Sequence, residues 1–276
     1  MKNFKLSHGW IYRFKKRYNI ISRAQTTTSK CQAANKENAR ALLHSARMEL
    51  VNKIKKLGVP AYRIGNCDQT KFRFEPLPGF TLDFKGRKSV PINALQNEKS
   101  GFTVRLALTS SGNKIPPLII FKGKGKLPPK IEIPEDKTCF ICCSPSSWIN
   151  KNIFSYWLQE VWYPAVKKKP SILVLDNFGG NIADSVLTIA DKLNITLFRL
   201  PSGTTSISQP LDHHIIAKVK RRFYQKYNEW RQEKDPNFTQ PAYKWRNQCV
   251  EWVCDAWYNG ISVRTIRRAF KATITP

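Results

Sequence analysis

The stretch ILVLDNFGGN, residues 172–181, decides how the rest of the chain is read. Its first four residues, Ile172-Leu173-Val174-Leu175, are wholly apolar, as a central strand covered on both faces requires. Asp176 follows at once, and then Asn177, Phe178, Gly179 and Gly180. A carboxylate at the carboxyl end of a buried strand stands where open α/β sheets place their functional groups. A strand-end turn in which the aspartate only bonds neighbouring backbone amides reads the same residues without any function.

Working outward, the hydrophobic pattern alternates between strands and helices. Residues 181–193 read as a helix, 195–200 as a strand, and 210–230 as a long helix. On the other side, 154–166 reads as a helix. The runs 102–108 and 115–121 read as two strands, joined by a turn on Ser110, Ser111, Gly112 and Asn113. Residues 63–74 read as a strand with an interruption. The order predicts an α/β domain with a mixed sheet. Residues 33–56 form a helix-friendly segment ending at Gly58 and Pro60, either a connector or a helix packed on the next domain. Residues 243–270 read as two short helices.

The charge balance narrows the partners. The 276 residues carry 47 Lys+Arg and 19 Asp+Glu, a net charge of +28. A field that positive favours a polyanion, for a soluble protein usually nucleic acid. The apolar runs 116–121 and 172–175 are far shorter than a membrane-spanning helix, so no membrane partner is expected, and the first residues lack the apolar segment of a signal peptide. The seven cysteines are an odd set: Cys139, Cys142 and Cys143 cluster, and Cys249 and Cys254 stand apart. Free thiols in a reducing compartment fit better than a zinc site.

Three carboxylates stand out in a chain so poor in acids. Asp68 lies inside the 63–74 strand, where burial is expensive unless the charge is paired or binds a metal; at a sheet edge it would simply be exposed. Asp212 opens the long helix after Pro210, where the helix dipole alone would favour it as a cap. Asp68, Asp176 and Asp212 on three elements of one sheet could together hold two divalent cations, for which carboxylate oxygens are suitable donors. Such a pair activates a water or a 3′-hydroxyl against a phosphodiester. On the same helix Lys218, Lys220, Arg221 and Arg222 are either a solvated face or a grip on phosphates. Near the N-terminus, Ser7 caps a helix to about Tyr18. Trp10, Ile11, Phe14 and Tyr18 share one face, while Arg13, Lys15, Lys16 and Arg17 are candidate DNA contacts.

These residues resemble a family. The segments at 8–20 (HGWIYRFKKRYNI), 66–72 (NCDQTKF), 102–126, 172–181, 195–223 and 256–270 are similar, in order, to DDE-type transposases of the pogo/Tigger/jerky group, related to centromere protein B and the mariner-like superfamily. The resemblance implies a ribonuclease H-like mixed sheet flanked by helices, with Asp68, Asp176 and Asp212 as the catalytic and metal-binding triad. It implies two Mg²⁺ or Mn²⁺ ions, transposon ends and target DNA as partners, a homodimer among the expected assemblies, and residence in the nucleus. It divides the chain into the end of a centromere protein B-type helix-turn-helix (1–22), a helical connector (23–60), a catalytic domain (61–235) and a helical tail (236–276). Gln69 and Asn181 depart from the glutamate and histidine of many relatives. These departures and the partial DNA-binding module keep a second reading in play, a transposase-derived nuclear DNA-binding protein without catalysis.

Overall fold

The computed structural model describes residues 7–24, 36–74, 80–85, 101–124, 130–132, 139–176, 183–201, 209–234 and 238–273. The turn 177–180, Asn181 and the 202–208 segment lie outside the described residues. The chain divides into two compact units, residues 1–33 with 75–100, and residues 34–74 with 101–276.

In the first unit, helix α1 (His8–Arg17) starts where the sequence predicts it, with the Ser7 hydroxyl accepting from the Trp10 N–H at 3.2 Å. Trp10 stacks on Phe14 with centroids 5.1 Å apart, and Phe14 meets Tyr18 at 4.9 Å. Strand β1 (Ile20–Ala24) then pairs antiparallel with a strand from far along the chain, Phe80–Phe84. The described strand Phe80–Phe84 thus belongs with the N-terminal segment.

The second unit begins with α2 (Lys36–Leu57) and continues with β2 (Ile64–Arg73). With Phe80–Phe84 counted as β3, the later strands are β4 (Gly101–Thr109), β5 (Lys114–Lys122), β6 (Phe140–Ser144), β7 (Ser171–Leu175) and β8 (Ile195–Arg199). They form one sheet in the order β6-β5-β4-β2-β7-β8. The pairs β2/β4 and β4/β5 are antiparallel, whereas β5/β6, β2/β7 and β7/β8 are parallel, so the sheet is mixed. The Ser110–Asn113 turn joins β4 to β5, as read from the sequence. All five residues of β7 are buried.

Helices cover both faces. On one lies α3 (Lys151–Trp157), which runs on through a π-helical segment, Leu158–Trp162, to Ala165, together with α4 (Asp184–Lys192). Trp157, Trp162, Val186 and Ala190 pack there against Leu118, Ile120 and Leu173. On the other lie α2, α5 (Ile216–Gln232), α6 (Ala242–Gly260) and α7 (Val263–Thr273). Their core partners include Leu50, Phe223, Trp252, Trp257 and Phe270, set against Phe72, Phe102, Leu106 and Val174. The helix 36–57 is therefore packed on the sheet through Ala46 and Leu50. The last two helices hold the same core, and the Arg47 guanidinium caps α7 by donating to the carbonyls of Ala272 and Thr273, each at 2.6 Å. Cys67, Cys139, Cys142, Cys143, Cys249 and Cys254 are all free thiols. Among the described residues no helix is long and apolar enough to cross a membrane.

Gly65 lets β2 pass beneath the Trp162 ring. A Cβ added there would stand 2.0 Å from a ring carbon. Gly65→Ala should therefore lower stability by about 2–3 kcal/mol through overpacking. Thermal unfolding of the variant beside the parent chain, followed by circular dichroism, measures the loss.

Candidate active site

The site is built on β2, which is central and not an edge, with β4 on one side and β7 on the other. Its parallel register with β7 sets Ile64 beside Ile172 and Asn66 beside Val174. Carried two residues further, the same register brings Asp68 level with Asp176, the first residue after β7. Neighbouring strands run about 4.8 Å apart, so Asp68 in the middle of β2 and Asp176 just past the end of β7 issue from adjacent positions.

Asp212 comes from the far side of the core. The chain enters it through Pro210 and a π-helical turn, Leu211–Ile215, which leads directly into α5. Such widened turns let a helix aim one side chain away from its regular phase. What holds the turn is Asn66, whose side chain is fully buried. Its amide nitrogen donates to the Val174 carbonyl at 3.1 Å, and its amide oxygen accepts from the Leu211 N–H at 3.2 Å. One side chain thus ties β2, β7 and the Asp212 turn together. The sequence reading did not single out Asn66; its only signal was an uncharged amide two residues before Asp68 in an otherwise apolar stretch.

The electrostatics show the carboxyls acting on one another. Burial lifts Asp68 from the ordinary 3.8 to about 7, with the charges of Asp212 and Asp176 adding to the effect. The Gln69 N–H, which donates to Asp68 Oδ1 at 2.7 Å, and Arg105 work against it. Asp212 is also raised, by desolvation, although the hydrogen bond from Asp68 and the Lys220 ammonium lower it. Asp68 and Asp212 therefore share a proton across their hydrogen bond near neutral pH. On the opposite face of the sheet the buried Arg105 guanidinium lies 4.1 Å from the Phe154 ring centre and 4.5 Å from that of Trp157. It donates to Cys67 Sγ at 2.8 Å, and burial still pushes that thiol up to about 11.

The four basic residues read together on the long helix part company. Lys218 and Arg221 are exposed. Lys220 is half-buried, and desolvation lowers its pKa while Asp68 and Asp212 oppose the shift. Arg222, read as a candidate DNA contact, forms a two-pronged ion pair with Asp255 of α6, at 2.6 and 3.1 Å, and keeps 37% of its side chain exposed. The acid that claims it lies 33 residues later, invisible to a helical wheel. In the N-terminal unit Arg13, Lys16 and Arg17 are exposed on α1, while Lys15 Nζ donates to Ser22 Oγ at 2.8 Å.

Among the described residues no three His, Cys, Asp or Glu side chains are gathered tightly enough to enclose a metal ion. The donor chemistry nevertheless fits a divalent cation. Two hard carboxylate groups, Asp68 and Asp212, are hydrogen-bonded to each other with a proton that a cation would displace, and a third, Asp176, acts on Asp68 by charge.

With this geometry in view, the comparisons with known proteins settle the class. Residues 99–270 match the DDE superfamily endonuclease model, and the chain belongs to that family. The matched span takes in Asp176 and Asp212, and Asp68 precedes it. Residues 1–24 match the Tc5 transposase DNA-binding domain. The chain is 28% identical over 98% of its length to the human "Pogo transposable element with KRAB domain", of which it covers 44%. It is 26% identical over 79% of its length to the mouse "Jerky protein", covering 38% of that protein. It thus spans less than half the length of these relatives. Among solved structures, the Mos1 strand transfer complex superposes with a TM-score of 0.52 at 13% identity, over 96% of this chain and 66% of that one. The sheet is ribonuclease H-like, as the resemblance implied.

Two measurements follow from the site. Asp68 keeps a proton in the folded chain that the unfolded chain sheds, so its contribution to stability is full below about pH 4 and is lost as pH rises to about 7. In chelator, unfolding free energy should fall across that window by about 1–3 kcal/mol, and Asp68→Asn should flatten the slope. Asn66→Ala leaves the Leu211 N–H and the Val174 carbonyl without partners and should cost about 2–4 kcal/mol in urea unfolding.

Proposed function

We propose that this chain is the catalytic part of a DNA transposase that cuts DNA strands and joins them to a target with the help of divalent cations. The observation that carries this reading is the hydrogen-bonded pair of Asp68 and Asp212, brought together from distant parts of the chain with Asp176 acting on Asp68. Acids that repel one another are kept in contact at a cost, and a cation site is the arrangement that recovers it.

In this reading Asp68, Asp176 and Asp212 hold Mg²⁺ or Mn²⁺, one ion or two. A cation bound there supplies a more acidic water or 3′-hydroxyl and a counter-charge for the phosphoryl oxygens. The protein's own part is positional. Asn66 keeps the Asp212 turn at a fixed height above β2 and β7, and Arg105 places a buried positive charge behind Asp68. Lys218 and Arg221, exposed on α5, offer charge to the DNA backbone beside the acids, and the basic residues of α1 would contact transposon ends. Target DNA, a homodimeric assembly and a nuclear location belong to the same proposal.

Calorimetric titration with Mn²⁺ tests it directly. The parent chain should bind, and Asp176→Asn and Asp212→Asn should each weaken binding at least tenfold, about 1.4 kcal/mol or more. Cleavage of a labelled duplex should then be lost in the same variants. Equal or absent Mn²⁺ binding in all three proteins would instead favour a transposase-derived DNA-binding protein without catalysis.

A further inference from the structure

Lys220, which feels both acids, also feels the charge of a second cation, Arg73. Arg73 ends β2, and Lys220 stands on α5 one turn before Tyr224. The Tyr224 hydroxyl accepts a hydrogen bond from the Arg73 N–H at 3.0 Å, and Lys220 Nζ lies 5.8 Å from the centre of the Phe72 ring. Phe72 in turn meets Phe223 edge-on at 4.9 Å. The end of β2 and this stretch of α5 are therefore clamped, and the Arg73 charge acts on Lys220 from the facing element. Arg73 Nη1 is buried without a hydrogen-bond partner. Lys220 is half-buried, and among the described residues it forms no ion pair.

This arrangement is costly as it stands. A buried guanidinium nitrogen without an acceptor forfeits its hydration, and two positive groups held near one another repel. The acids Asp68 and Asp212 are within electrostatic range of Lys220 but are engaged with each other. The missing element is an anion that can accept from a planar fork and from a point charge at once, which is the chemistry of a phosphate group.

We propose that Arg73 and Lys220 form a seat for one backbone phosphate of a DNA strand laid across the Asp68–Asp212 pair. The seat rests on the strand-cleavage reading for what the strand is doing there, and it separates Lys220 from Lys218 and Arg221, which face solvent. One phosphate held by two side chains fixes the strand's position relative to the acids, whereas exposed lysines and arginines only attract it.

The test is a double-mutant cycle on DNA binding, read by fluorescence anisotropy with a short labelled duplex in chelator over a series of salt concentrations. Arg73→Gln and Lys220→Gln should each weaken binding about three- to tenfold and flatten the salt dependence by about one phosphate contact. Because both lose the same phosphate, the double variant should bind about as well as the weaker single one. Lys220→Arg should keep most of the affinity. The exposed pair Lys218→Gln and Arg221→Gln, treated in the same way, should give losses that multiply. Losses at Arg73 and Lys220 that multiply like the exposed pair, or a parent-like affinity in either single variant, would overturn the seat. If Arg73→Gln does not fold, Arg73→Lys enters the same cycle, with the same sub-additivity required. Chelator keeps the assay independent of metal binding. An intact cycle in a chain that fails the Mn²⁺ titration leaves the seat and removes the cleavage reading, and the reverse pattern does the opposite.

Discussion

The amide of Asn66 is the joint on which the site hangs. It needs a donor and an acceptor at once, because the Val174 carbonyl and the Leu211 N–H both point into a dry interior. Asparagine is the short side chain that supplies both; aspartate would bring only acceptors and a charge, and leucine neither. Its two hydrogen bonds set the height of the Asp212 turn against two strands whose register is fixed by backbone pairing alone. A half-satisfied amide would leave the turn adrift from the sheet, and the acid with it.

Around that joint the protein runs two opposite electrostatic regimes. The surface is strongly positive, as +28 over 276 residues dictates, and draws polyanions from a distance. At the middle of β2 and the carboxyl end of β7 the sign reverses locally, and the acids are crowded enough to retain a proton near neutrality. The buried Arg105 guanidinium on the opposite face moderates this crowding without filling the cleft, because it is held between Phe154 and Trp157.

Much of this was legible in the sequence, for identifiable reasons. The run Ile172–Leu175 could only be a doubly covered strand, and the turn Ser110–Asn113 punctuated its hairpin. The three aspartates drew attention because the chain has so few acids. The strands Ile20–Ala24, Phe80–Phe84 and Phe140–Ser144 went unseen, and β1 and β3 find each other across nearly sixty residues. The helix after Asp212 was read as one regular wheel. In the structure its first turn is π-helical, so Asp212 is out of phase with the residues beyond it. Lys220 then turns toward the acids while Arg222 is taken by Asp255, two fates that no spacing rule separates.

The hydrogen bond from Leu211 to Asn66 joins residues 145 apart in the chain. Contacts of that span form late, since closing so long a loop costs entropy before any packing repays it. On a ribosome, β2 with Asp68 emerges long before the turn that carries Asp212, and α6 and α7, which share that turn's core, follow it. An emerging chain thus carries isolated acids and an unfinished cleft. The order of synthesis is itself a safety catch: the acids come together only after the Asp212 turn and the helices that share its core have been made.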